Sequence, residues 1–240
     1  MEILKSKNNQ QIKELAKLKL KKYRQEQRVF LIEGYHLVEE AKKHNLVMET
    51  YEYFENPKYK DSILVSEDII KYLSTTKTPQ KIIAKAKFKD HHNNFNRVVI
   101  LNKLQDPGNV GTIFRLAKSF NFDTVLVQDF DFYNEKTIRA SQGAFFDLNI
   151  IKIQNLGEEI KKLQNENFQI HATLLDQSAH KLEEVAFRSD KLAIIFGNEG
   201  NGIEPEIAQM VNSKVYIPIN FESLNVACAA SIVLYQARKG

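Results

Sequence analysis

The polar residues best placed to do chemistry, Asn109, Arg115, Glu199, Ser223 and Asn225, fall in three short segments of the second half of the chain: DPGNVGTIFRLAKSF (106–120), IIFGNEGNGIEPE (194–206) and YIPINFESLNVACAA (216–230). Each segment sets glycine and polar residues beside an apolar run, so each reads as the junction of a strand with a helix. The carboxyl ends of parallel strands are where open α/β sheets bind ligands. In the first segment Pro107 and Gly108 form a turn, Asn109 reads as the cap of a helix through Ile113, Phe114 and Ala117, and Arg115 rides on that helix. In the second, Gly197, Gly200 and Gly202 follow the strand Leu192 to Phe196 and allow a close backbone approach to a ligand, while Glu199 between them is no turn former. The third ends a strand at Ile217 and Pro218, then offers Ser223 as the cap of a helix beginning at Leu224, with Asn225 in its first turn. Taken singly, a solvated arginine, a tight loop and a helix cap account for Arg115, the glycines and Ser223 equally well. Two phosphate-loop chemistries are excluded: no Gly-Lys-Ser/Thr follows the turn, and neither glycine run has the G-x-G-x-x-G spacing.

The elements that must position these residues alternate. From Arg97 onward the runs RVVILN, DTVLVQ, FQIHATLLD, LAIIFG and KVYIPI are separated by the helical stretches from about Val110, KTIRAS, EPEIAQMV and SLNVACAASIVLYQ. Near-continuous apolar strands between helices predict a parallel sheet covered on both faces. The polar stretch KDHHNNFN (89–96) breaks all periodicity and marks a domain boundary, giving domains at 1–90 and 97–240; His91 and His92 lack spaced partners and read as linker. Before it, the β-branched runs Val29 to Ile32, Leu46 to Phe54, Ser62 to Val65 and Lys81 to Phe88 interleave with helical stretches at Tyr35 to His44 and Glu67 to Ser74, a small α/β module. Ile12, Leu15, Ala16, Leu20 and Tyr23 fall within an arc of about 140° at about 100° per residue, which predicts one amphipathic helix over Gln11 to Gln27 with lysines outside.

Composition sets the class. With 43% hydrophobic and 27% charged residues in 240, the chain has the make-up of a soluble globular protein, no apolar run approaches the ~20 residues of a membrane span, and the cytosol is the default compartment. The single cysteine, Cys228, excludes an intramolecular disulfide and reads as a small buried residue of its Ala-rich helix. The net charge of +4 is uneven: the first 28 residues carry nine Lys and Arg against three Glu, a local +6. Taken alone the stretch reads as a solvated helix face; beside the three polar segments it reads as one that attracts nucleic acid through counterion release, with Lys21, Lys22, Arg24 and Arg28 as candidate phosphate contacts.

The three segments, in this order, resemble the three motifs of the SpoU (TrmH) family of RNA ribose 2′-O-methyltransferases, within the SPOUT superfamily, over residues 97–240. SKNNQQIKELAKLKLKKYRQEQRVFLIEGYHLVEEA resembles more loosely the substrate-binding module that precedes many such domains. The resemblance implies S-adenosylmethionine as cofactor, a C-terminal trefoil knot, and a homodimer whose interface adjoins the cofactor. It implies a reaction centre of Arg115, Asn109, Glu199, Ser223 and Asn225, and a cofactor pocket lined by Leu174, Gly197, Asn198, Gly200, Gly202, Ile217, Pro218, Ile219, Ser223, Leu224 and Val226; no metal is assigned. RASQGAFFDL, with Arg139 and Ser141, is similar to a segment that helps hold RNA phosphate. The implied activity is methyl transfer to a ribose 2′-hydroxyl of RNA, with large-subunit rRNA favoured by the N-terminal module over tRNA. An inactive RNA-binding or ribosome-assembly protein and a nucleotide-binding regulator are the alternatives. Two departures stand out: Asn121 occupies a position where glycine is frequent, and the loop from Pro218 to Ser223 is short.

Overall fold

The computed structural model describes residues 3–176 and 179–238. The chain forms two compact units, Met1–Asp90 with Tyr133–Phe146, and His91–Phe132 with Asp147–Gly240.

The first unit opens with α1 (Gln10–Lys17), whose Asn9 cap accepts from Gln11 and Ile12 N–H at 2.9 and 3.3 Å, and α2 (Lys21–Gln27). The single helix expected over Gln11 to Gln27 is therefore broken. Leu20 turns extended (φ −95°, ψ 130°), and the Arg24 guanidinium donates to the carbonyls of Leu18 and Lys19, both at 2.8 Å, which the break leaves without helical partners. The break buries Leu18 and leaves Leu20 60% exposed. There follow β1 (Val29–Glu33), α3 (Tyr35–Lys43), β2 (Val47–Tyr53), β3 (Ile63–Val65), α4 (Glu67–Leu73) and β4 (Ile82–Lys87). Their sheet runs in the order β1-β4-β2-β3, with β4 antiparallel to both neighbours and β3 parallel to β2. On one face Val29, Leu31, Tyr51 and Ile83 pack with Ile12, Leu15, Ile69 and Leu73. Phe30 points the other way and meets Tyr133 and Phe145, ring centroids 4.9 and 5.9 Å apart, while Phe88 stacks on Tyr133 at 3.6 Å.

In the second unit β5 (Arg97–Asn102) leads into α5 (Pro107–Ser119) and β6 (Thr124–Gln128). The helices α6 (Glu135–Ala140) and α7 (Ala144–Asp147) come next in the chain, before β7 (Asn149–Ile153), α8 (Leu156–Asn165), β8 (Gln169–Thr173) and β9 (His180–Lys181). The chain closes with β10 (Leu192–Phe196), α9 (Pro205–Met210), β11 (Ser213–Tyr216) and α10 (Val226–Ala237). All seven strands of this sheet are parallel, in the order β7-β6-β5-β10-β8-β11-β9. β5, β6 and β10 are buried throughout, as a sheet covered on both sides requires. Val98, Ile100, Ala193 and Ile195 pack with Ile160, Leu163 and Ala208 of α8 and α9. The alternate residues Val99, Leu101, Ile194 and Phe196 face the other way, and α5 and α10 pack together there, with Phe120 against Tyr235 at 5.9 Å. Asn121 adopts φ 61°, the left-handed conformation that glycine would supply, and the Phe122 N–H closes back on the Ala117 carbonyl at 2.9 Å.

Candidate active site at the strand ends

The strand order assembles the site. β5, β10, β8 and β11 lie side by side, so the segments leaving their carboxyl ends become neighbours although some ninety residues of chain separate the first from the second. The helix beside them starts from Asp106, whose Oδ1 accepts from the Asn109 N–H at 2.9 Å, with Pro107 in its first turn. Asp106 is thus the cap expected of Asn109, and the Asn109 side chain is released toward the other loops. At α10 the correction is similar. Asn225, not Ser223, caps the helix, its Oδ1 accepting from Ala227 and Cys228 N–H at 2.9 and 3.3 Å.

One side-chain chain ties the three segments together. Asn225 Nδ2 donates to Asn109 Oδ1 at 3.1 Å, and Asn109 Nδ2 donates to Glu199 Oε1 at 3.2 Å. The Gln105 N–H reaches the other Glu199 oxygen at 3.4 Å.

The glycine loop is closed by its own backbone. Asn198 and Gly202 exchange both N–H···O bonds, at 3.0 and 2.9 Å, and a Cβ on Gly197 would stand 2.5 Å from the Gly202 carbonyl carbon. Gly197 is therefore required by packing of the loop on itself. Gly202 is different: its φ is +66° and nothing lies within 4 Å of where a Cβ would stand. Asn198 Oδ1 gathers the N–H groups of Gly200 and Asn201 at 2.9 and 3.1 Å, and its Nδ2 donates to the Lys103 carbonyl at 2.7 Å. At the far end of the loop Glu204 accepts from Lys103 Nζ and, at 2.7 Å, from Asn102 Nδ2. The Lys103 ammonium first, then the Asn102 amide, hold its carboxyl down to about 2.

A cleft of about 720 Å³ opens along these loops. Leu174, Gly197, Asn198, Gly200, Gly202, Ile217, Ile219, Ser223, Leu224 and Val226 line it, as do Glu199 and Asn225; Pro218 is exposed and does not. β11 stops at Tyr216, so Ile217 to Ile219 follow the strand instead of ending it. Sequence reasoning passed over Asp176, Gln209 and Lys214, which also line the cleft, and over Lys103 and Glu204, which hold the glycine loop. Nothing in their types or spacing marks them, because their places come from strand order.

Arg115 stands apart. It is exposed on α5, and its guanidinium makes no hydrogen bond or ion pair among the described residues.

The candidate phosphate contacts divide. Lys21, Lys22 and Arg28 are exposed. Arg24 is only 3% exposed and committed to the α1–α2 break, which removes it from the surface. Ser141 is fully buried, its hydroxyl donating to the Ile138 carbonyl at 2.7 Å. Arg139 is half-buried, donating to Thr75 Oγ1 at 3.1 Å beside Glu135. Cys228, expected inside, is exposed on α10.

Residues 96–235 match the SpoU rRNA Methylase family and residues 9–84 the MRM3-like substrate binding domain. The chain is 32% identical to the 23S rRNA (guanosine(2553)-2′-O)-methyltransferase RlmP of Bacillus subtilis, over 99% of this chain and 100% of the relative. A crystal structure of an RNA 2′-O ribose methyltransferase superposes with a TM-score of 0.85 at 28% identity, covering 98% of each chain. The AdoMet-bound rRNA methyltransferase of Sinorhizobium meliloti does so at 0.85 and 25% identity, covering 98% of this chain and 97% of that one. A match over more than half the chain, on a fold whose strand order joins the three polar segments, places this protein in the SpoU rRNA methylase family.

Proposed function

We infer that this chain transfers the methyl group of S-adenosylmethionine to a ribose 2′-hydroxyl of large-subunit ribosomal RNA. The observation that carries the reading is the Asn225–Asn109–Glu199 chain of side chains, whose two end members line the cleft. It gathers a carboxylate and two carboxamides from three separate segments at one end of the sheet, beyond what capping α10 requires of Asn225. The rRNA relative in Bacillus subtilis and the substrate-binding match over residues 9–84 favour rRNA over tRNA.

The cleft fits the cofactor. Its volume lies within the roughly 300–1,000 Å³ of small-molecule sites, Leu174, Ile217, Leu224 and Val226 supply apolar walls, and the open space above Gly202 is a cradle that a side chain would fill. When bound, S-adenosylmethionine supplies an electrophilic methyl on its sulfonium. The residues do the rest by positioning. Asn225 and Asn109 fix the Glu199 carboxylate, the acceptor in the site for the hydroxyl proton. A guanidinium is a set of donors with no acceptor to offer, so Arg115 serves as a phosphate and charge anchor and not as a base. Lys21, Lys22 and Arg28 supply phosphate contacts.

Two further properties belong to this reading. α10 carries no charged residue between Val226 and Ala237, yet Ile232 and Tyr235 are 41% and 53% exposed; large apolar side chains on an uncharged helix are normally covered, which supports a homodimer through this face. The trefoil knot of the family belongs with it, as does a cytosolic location; among the described residues no helix is long and apolar enough to cross a membrane. The test is to map 2′-O-methylation in RNA from cells with and without the protein. One rRNA ribose is expected to lose its methyl, and an unchanged rRNA map with a lost tRNA methyl would overturn the substrate.

A further inference from the structure

We propose that Lys103 is a positioning residue, a latch that holds the glycine loop in the form the cofactor needs; the proposal rests on reading the cleft as the cofactor site. Lys103 has φ +56°. Of the other non-glycine residues with positive φ, Arg28, Asn45, Asn121, Gln142 and Asn167 follow helices, where a left-handed residue closes the last turn; Lys103 and Asp129 follow the neighbouring strands β5 and β6, and of these two aspartate is the type that tolerates the conformation. A lysine is an unfavourable choice for that conformation, and strain kept at one position is a pointer to function.

What the conformation achieves is visible. It sends the Lys103 carbonyl to Asn198 Nδ2 at one end of the loop and the Lys103 ammonium to Glu204 at the other. Between these two anchors lie Glu199, Gly200 and Gly202, which line the cleft. Lys103 and Glu204 are partly exposed, and an isolated pair of that kind contributes little. Here the carboxylate also takes the amide of Asn102, which is 1% exposed on β5, so a buried donor holds it as well as the ammonium. Both anchors therefore tie the loop to the end of one central strand.

Lys103→Gly separates the two roles. Glycine keeps the left-handed backbone, and with it the bond to Asn198, while removing only the ammonium. Hydrogen exchange of residues 198–204 in the cofactor-free full chain should quicken by about tenfold, and affinity for S-adenosylhomocysteine by calorimetry should fall by about tenfold, the scale of one charge-assisted hydrogen bond. The cofactor KM should rise while kcat at saturation holds, the melting temperature should not fall, and Lys103→Arg should restore both quantities. Glu204→Gln should behave like Lys103→Gly, and the two together should lose little more than either alone. Wild-type exchange in Lys103→Gly overturns the latch. Faster exchange with unchanged affinity overturns its positioning role. If the wild-type chain itself fails to bind S-adenosylhomocysteine, the cofactor reading falls, and the exchange comparison still decides the latch.

Discussion

Among the described residues Arg115 has nothing to hold with its guanidinium. A long cationic side chain on an exposed helix face with no internal partner is either a solvent residue or a hand for a ligand, and methyl transfer separates these. If Arg115 anchors the phosphate at the reacting ribose, Arg115→Ala should lower single-turnover methyl transfer by roughly 10²-fold or more, the scale of a positioned charge, with an unchanged thermal melt. Arg115→Lys should be nearly as slow, because an ammonium cannot present two parallel donors. Normal transfer by a well-folded Arg115→Ala protein would remove it from the site. At this scale the sequence was legible in kind but not in role. Asn109, Glu199 and Asn225 were identifiable, and the structure joins them. Their hydrogen bonds were not, because contacts between residues 90 and 116 positions apart depend on strand order. Burial was hidden as well: Arg24 and Arg28 look alike in a basic segment, and one holds backbone carbonyls while the other is exposed.

Elements were read well in their middles and poorly at their ends. The strand expected over Lys81 to Phe88 is found at Ile82–Lys87, since a short run with β-branched residues between polar stretches is a strand signal. The caps moved by three residues, from Asn109 to Asp106 at α5, and by two, from Ser223 to Asn225 at α10, since Asp, Asn and Ser are nearly interchangeable there and only the backbone selects one. The break between α1 and α2 was invisible for another reason. The apolar arc continues smoothly through Leu20, and what interrupts it is the buried Arg24, whose donors satisfy the two carbonyls that the break exposes. Arg24→Gln should therefore destabilise the protein by about 1–3 kcal/mol, the cost of leaving buried carbonyls unpaired, in a chemical denaturation curve. RNA affinity of the folded fraction and its salt slope should stay as they are, whereas Lys21→Ala with Lys22→Ala should flatten the slope without moving stability. A flattened slope in folded Arg24→Gln would return Arg24 to the RNA surface.

For the molecule as a whole, the order of the chain and the membership of its compact units differ. The boundary expected at residues 89–96 separates Asp90 from His91, yet Tyr133–Phe146 joins the first unit from within the sequence of the second. Tyr133, Ile138 and Phe145 are buried, and Tyr133 and Phe145 face Phe30 of the first unit. No local pattern announces this, because KTIRAS reads as one more helix of an alternating series. The consequence concerns what can fold alone. Burying a large apolar side chain contributes about 1.5–3 kcal/mol. Uncovering three of them forfeits a sum comparable to the roughly 5–15 kcal/mol that holds a domain together. A chain beginning at residue 91 should accordingly expose an apolar loop, bind a hydrophobic dye, and self-associate in size-exclusion chromatography, and Tyr133→Ser with Phe145→Ser should return it to a discrete species. Calorimetry on that repaired chain should then show S-adenosylhomocysteine binding, since every residue lining the cleft lies outside Tyr133–Phe146. A chain from residue 91 that is already monodisperse and dye-silent without the two substitutions would show that Tyr133–Phe146 does not depend on the first unit for its burial.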